Sequence, residues 1–363
     1  MAAPDFFPPP PRGMKGRAAE LATLARTVRE TRPARMALVG SGGSGKSMLA
    51  AALGHAVAKD FGGRIHWFRV GAWDFQTLAE MLALRFGTPR ARGELVPRLV
   101  RFLARDERFL VLDNHEDDRA MARLLEALAG TKASFVITAR RCLLSGVLVF
   151  PVTAPRVTSG RAAFPRVAPL TRALRWNPLA LDIADAIVGT RAATVPALAR
   201  FLDEGGVSRV TAIAHEDDLP EVALLVAWAW PRLLPASRRI LGVLSHLEGD
   251  HADLASLARL GDVRGEVAAR EALTALARWH LVQEPMRGRY AVHAVVRHAV
   301  LKRTTFDPAR AFEHYVALLE KDPTRLAWEQ THLFSAMDHA HKTGDMTGML
   351  RVERLLSQLD PRA

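Results

Sequence analysis

Apolar residues fall into two regimes along this chain. As far as residue 152, short and mainly apolar runs alternate with stretches of helical spacing; from residue 161 helical spacing dominates. The runs at 36–39, 64–70, 109–113, 133–138 and 147–152 predict strands, since strands buried on both faces of a parallel sheet read as continuous apolar stretches. Between them, a helix opening at 16–24 and ending before Pro33, and further segments at 48–57, 77–86, 94–105 and 120–129, predict helices. Strand and helix in alternation imply a parallel sheet covered on both faces.

The second regime predicts short helices at 164–176, 178–188 and 195–201, with Pro178 at a helix start where its missing N–H costs nothing. Helices at 222–233, 235–245, 253–260 and 266–279 follow, then a strand pair, 281–284 and 289–292, around a turn at Arg287-Gly288. Three helices closed by a hairpin form the winged-helix pattern. Helical spacing returns at 293–303 and fills 308–359, and no repeat period emerges. The consecutive prolines of 6–13 predict an extended leader. The expected organisation is therefore an α/β nucleotide-binding domain over 16–158 behind a leader at 1–15. A small helical lid over 159–215, a winged helix over 216–305 and a helical segment over 306–363 follow it.

Composition narrows the partners. With 49% hydrophobic and 24% charged residues the chain reads as globular, and its 363 residues suit two or three domains. The longest apolar stretch, 222–230, stops at Pro231, short of the ~20 residues a membrane span needs. The first seven residues carry an early acid and no signal-peptide core, so a cytoplasmic location is expected. Cys142 is the sole cysteine, which excludes an internal disulfide and a cysteine metal cluster. A net charge of +12 invites nucleic acid, but the arginines are dispersed among Ala, Leu and Val rather than gathered in a stripe.

The chemistry centres on Gly40-Ser-Gly42-Gly43-Ser44-Gly45-Lys46-Ser47, a full G-x-x-x-x-G-K-[ST] match between a predicted strand and a predicted helix. Its glycines let backbone N–H groups wrap a phosphate, and the following helix aims its positive end at the same anion. Lys46 reaches β/γ phosphates, and the Ser47 hydroxyl suits Mg²⁺. Asp113, ending the strand at 109–113, has the Walker B position, where a carboxylate holds the metal through water. Thr138 and Arg140, ending the next strand, are placed to sense a γ-phosphate.

Taken in order, these motifs resemble the NB-ARC family of signal-transduction ATPases of the STAND class, over nearly the whole chain. Gly16-Arg17-Ala-Ala-Glu20-Leu21 is similar to the family's entry motif. Leu110-Val-Leu-Asp-Asn114 resembles a bacterial Walker B, Ile137-Thr-Ala-Arg140 the sensor strand, and Asn177-Pro-Leu-Ala-Leu181 the Gly-Leu-Pro-Leu box. Tyr290-Ala-Val-His293-Ala-Val-Val-Arg297 looks like the winged-helix segment with the Met-His-Asp box. The resemblance implies that Pro178 packs on adenine and that His293 approaches the β-phosphate of ADP and holds a closed state. Two positions depart from the family pattern: Ala294 replaces the box aspartate, and Asn114 stands where many P-loop ATPases carry a catalytic carboxylate, leaving Glu116 and Asp117 as candidate bases.

The expected nucleotide contacts are Arg17, Gly40, Gly42, Gly43, Ser44, Gly45, Lys46, Ser47, Met48, Thr138, Pro178 and His293. Lys46, Asp113 and Arg140 form the catalytic group, and Ser47 and Asp113 the Mg²⁺ ligands, the latter through water. The leading expectation is a slow ATP/ADP switch whose ATP state opens or self-associates, with a separate effector or sensor protein as partner. Family members usually carry an effector domain and a repeat sensor, and neither is complete here. The chain therefore reads as a compact switch core, an operon partner of separate proteins or a fragment. The alternative is a DNA-binding regulator, against which the core-directed helix at 266–279 speaks, with Arg270 and Arg278 balanced by Glu266 and Glu271. A metabolic kinase is disfavoured, because nothing after residue 152 suggests a small-substrate lid.

Overall fold

The structure, a computed structural model, describes residues 7, 8, 10, 11, 17–71, 73–86, 95–153, 164–204, 219–247 and 251–357. Gly16, most of the leader and the expected boundaries at 158 and 215 lie outside the described residues.

Five parallel strands run β1 (Arg35–Val39), β2 (Ile65–Arg69), β3 (Arg108–His115), β4 (Ala133–Ala139) and β5 (Leu148–Pro151), in the sheet order β2-β3-β4-β1-β5. The apolar runs cause this arrangement, because alternate residues serve opposite faces of one sheet. Phe109, Val111 and Val136 pack with Leu49 and Leu53 of α2 (Lys46–Val57) and Val28 of α1 (Ala18–Glu30). Leu110, Leu112, Phe135 and Ile137 pack oppositely against α3 (Phe75–Arg85), α4 (Leu95–Leu103) and α5 (Asp118–Ala127). All the expected strands and helices of this half form, with ends shifted by a few residues.

Beyond it come α6 (Pro178–Gly189), α7 (Val195–Glu204), α8 (Pro220–Ala229), α9 (Pro235–His246), α10 (Leu254–Leu260) and α11 (Glu266–Arg278). A small antiparallel sheet of β6 (Ala252–Asp253), β7 (Gln283–Met286) and β8 (Arg289–Ala291), ordered β6-β8-β7, and then α12 (Ala294–Leu301), follow. One apolar cluster runs from Phe164 through Leu225, Ile240 and Leu276 to Val300, so these helices share a core with β6 and β8. The last three helices, α13 (Pro308–Lys321), α14 (Leu326–Thr343) and α15 (Met346–Ser357), have a cluster of their own around Val316, Leu333 and Leu355.

Three local expectations change. The stretch 164–176 is a 3₁₀ segment, Pro165–Leu170, broken at Val167 and followed by Arg175 and Trp176 at φ 49° and 58°; Pro169 removes a helical donor there. The hairpin begins at Gln283 rather than at 281, since Leu281 and Val282 are drawn into the core. Its third strand, β6, is only two residues long. No helix among the described residues is long and apolar enough to cross a membrane.

Candidate functional site

The carboxyl ends of β1, β3 and β4 lie side by side, and each delivers one part of the site. After Val39 the chain turns into the phosphate loop. A Cβ on Gly40 would stand 2.3 Å from the Val152 carbonyl oxygen, so the loop can leave the sheet only with glycine there. Gly43 and Gly45 have φ of 70° and 92°, the left-handed region that favours glycine. Gly45 is the N-cap of α2 and supplies no capping side chain, which leaves the first N–H groups of the helix to a ligand.

Lys46, the first residue of α2, folds back so that its Nζ donates to the carbonyls of Gly40 (2.7 Å) and Ser41 (2.8 Å). Burial pushes its pKa down to about 8; Asp113 works against that shift and Arg140 with it. At the end of β3, Asp113 Oδ1 accepts from the Thr138 hydroxyl at 2.6 Å, and that hydroxyl in turn accepts from the Asn114 N–H at 2.9 Å. Thr138 thereby fixes the carboxylate and the strand end together. Asn114 has φ 61°, which asparagine tolerates better than most residues, and its amide donates to Glu116 at 2.8 Å. Asp117 caps α5 by accepting from the N–H groups of Arg119 and Ala120. Both candidate bases are thus engaged locally.

Two contributions come from the second half of the chain. Asn177, the N-cap of α6, accepts from the Ala180 N–H and donates to the Gly42 carbonyl at 3.0 Å, clamping the loop while Pro178 occupies the first helical turn. His293, the N-cap of α12, accepts at Nδ1 from the Val295 N–H. The next turn presses on the loop so closely that a Cβ on Gly42 would lie 2.7 Å from Val295 Cγ2. Burial lowers the His293 pKa to about 4, followed by the charges of Arg69, Lys46 and Arg140. His293 is therefore neutral here, and the cost of charging it falls due as pH drops from 6.5 towards 4. An anion beside it would return the pKa upward, so anion binding takes up a proton within that window, at the expense of the bond that Nδ1 accepts from the Val295 N–H in the neutral ring.

One cavity of about 1750 Å³ gathers Gly42, Gly43, Gly45, Lys46, Ser47, Met48, Asp113, Thr138, Arg140, Pro178 and His293. The remaining expected contacts stand behind it. Gly40 and Ser44 do not line the cavity, and the buried Arg17 guanidinium donates to the carbonyls of Ser44 and Thr153, both at 2.7 Å, and pairs with Glu20. Arg17 braces the loop from outside.

The cavity also contains residues that sequence reasoning passed over. Arg69 ends β2 in register with Asp113 of β3, and a charge directly after the apolar run at 65–68 is the signal that marked Asp113 itself. His115 lines the wall with its Nε2 2.7 Å from Asp118 Oδ1, an i,i+3 pair at the start of α5. Lys46, Arg69 and Arg140, with the neutral His293 ring beside them, give the phosphate end of the cavity groups that suit an anion, while Asp113 and Glu116 line the same cavity.

The fold is that of a P-loop NTPase. A STAND protein with a tetratricopeptide-repeat sensor from Pyrococcus horikoshii superimposes over 97% of this chain and 54% of that one, with 17% identity and a TM-score of 0.60. The chain thus spans about half the length of that protein. Weaker likenesses, too low to carry argument, reach the ORC1 protein of Aeropyrum pernix in complex with DNA (17% identity, 80% and 94% covered, TM-score 0.38). They also reach a Walker-type ATPase of Pyrococcus abyssi (14% identity, 82% and 99% covered, TM-score 0.32). No family model and no curated protein matches the sequence.

A P-loop NTPase fold implies Mg²⁺, and the residues present fit it: Ser47 and the Thr138-held Asp113 line the same cavity. No group of three His, Cys, Asp or Glu side chains could hold a metal alone among the described residues. The ion would depend on phosphate oxygens and water for its remaining ligands.

Proposed function

We propose that the chain is a STAND-type molecular switch that binds ATP and ADP with Mg²⁺, hydrolyses ATP slowly and is held closed by ADP. The observation that carries this reading is the single cavity that His293, from beyond residue 290, shares with Lys46, Asp113 and Arg140. A phosphate chain placed there meets the Lys46 ammonium, the Arg69 and Arg140 guanidinium groups and the His293 ring in one cavity. It also draws the α12 turn onto the loop. Under this reading residues 16–158 bind the nucleotide and 159–215 form the lid. Residues 216–305 act as the winged-helix clamp, and 306–363 connect the clamp to other parts or partners. Mg²⁺ would supply charge neutralisation at the phosphates, with Ser47 and Asp113 holding it. Lys46 and Arg140 bind and orient the phosphates, and Pro178 bounds the base.

The DNA-binding alternative gains little from α11. Ala269, Ala272, Leu273 and Leu276 face the core, and the outward side mixes Val267, Arg270, Glu271 and Arg278, without the cleaner basic face a DNA-reading helix presents.

A switch must change its assembly or shape with the nucleotide. Sedimentation in ADP should give the monomer. A non-hydrolysable ATP analogue should shift the protein to larger species or to a more extended one. Identical sedimentation in both nucleotides would contradict the switch reading.

A further inference from the structure

Outside the phosphate end of the cavity, a buried charge cluster ties the small sheet to the C-terminal helices. Glu329, in the first turn of α14, is wholly buried. Its two carboxylate oxygens accept from both terminal nitrogens of Arg289, at 2.8 and 2.7 Å, and Oε1 also accepts from Arg325 at 2.9 Å. Arg325 pairs in turn with Asp253. Arg289 opens β8, and Asp253 ends β6 directly opposite it in the ladder. The first turn of α14 and the residue before it therefore grip two of the three strands of the small sheet.

This grip reaches the nucleotide cavity by two routes. Arg289 Nε donates at 2.7 Å to Nδ1 of His251, a cavity-lining residue. Burial first, then Arg289 and His332, push the His251 pKa to about 3, so the ring stays neutral and able to accept. The second route is the strand itself. β8 ends at Ala291, and two residues later the chain reaches His293 at the N-cap of α12. Ala291, Val292 and His293 all line the cavity.

We propose that Glu329 is a positioning residue for the nucleotide site: by fixing Arg289 at the start of β8 it sets where His293 stands relative to the phosphates. The proposal rests on the reading of His293 as a nucleotide contact. It makes α14 the element through which events in the C-terminal helices alter nucleotide retention. A bidentate arginine bond suits this role because it fixes orientation as well as distance.

The test measures release of a fluorescent ADP analogue from the full chain, in the parent, Glu329→Gln, His293→Ala and the double variant. Glu329→Gln should speed release by about 2- to 30-fold, the range by which residues remote from a ligand modulate coupling. In the His293→Ala background the same change should add nothing. A structural staple would lower the melting temperature and speed release equally in both backgrounds, and that outcome overturns the proposal. So does unchanged release in Glu329→Gln when His293→Ala alone speeds it. If His293→Ala has no effect, both this proposal and the clamp reading fall. Arg289→Lys keeps the charge but loses the two-pronged bond, and it takes the place of Glu329→Gln, with the same expected pattern, should that variant fail to fold.

Discussion

Replacing Lys46 by alanine is expected to weaken ATP and ADP binding by roughly a hundredfold or more while leaving the protein folded. The side chain rests on the carbonyls of Gly40 and Ser41 within its own loop, outside the apolar clusters, so its removal opens no core cavity. Its charge is costly where it stands, with a pKa already lowered to about 8, and a phosphate is the counter-charge that relieves the cost. Each hydrogen bond to a charged group is worth about 1.5–3 kcal/mol, and an ammonium against β and γ oxygens makes more than one. Calorimetric titration beside a thermal melt checks both halves of the expectation. Unchanged ATP affinity would remove Lys46 from the site, and an unfolded variant would give it a structural role.

The second large effect is on turnover. Asp113→Asn should lower ATP hydrolysis by about tenfold or more, since charge held at a metal is worth several kcal/mol in the transition state. Glu116→Ala should change it little, because Glu116 is occupied as the acceptor for Asn114. Hydrolysis should be slow even in the parent, because Glu116 and Asp117, the two candidate bases, are both engaged in local hydrogen bonds. Phosphate release at steady state separates the two variants. A fast enzyme that collapses on Glu116→Ala and survives Asp113→Asn would reverse the roles assigned here.

The phosphate loop, the Walker B strand and the order of strands and helices were legible because each is a local pattern: an apolar run of fixed period, then the glycines or carboxylate its end requires. The parts that escaped depend on contacts between distant residues. Nothing near Gly42 announces that Val295 closes against it, or that the amide of Asn177 clamps its carbonyl. The two residues of β6 are too few to show a period, and they become a strand only because β8 pairs with them. Arg17 sits in a motif that reads as nucleotide-binding, while its guanidinium is committed to two carbonyls behind the loop. Arg69 is hidden among many arginines in the sequence, although it shares its strand-end register with Asp113.

The proposed switch depends most on His293 telling diphosphate from triphosphate. ADP and ATP affinities should be measured for the parent and for His293→Ala at several pH values between 5 and 8. In the parent, ADP should bind more tightly as pH falls below 6.5, because the phosphate lets His293 take up the proton that burial, Arg69, Lys46 and Arg140 otherwise deny it. His293→Ala should remove that pH dependence beyond what ADP itself contributes. At the acid end it should weaken ADP by roughly 1.5–3 kcal/mol, the range for a charge-assisted bond, while ATP, in whose complex the proposed clamp is expected to swing away, should change much less. Equal weakening of both nucleotides, or of neither, would contradict a clamp that responds to the number of phosphates.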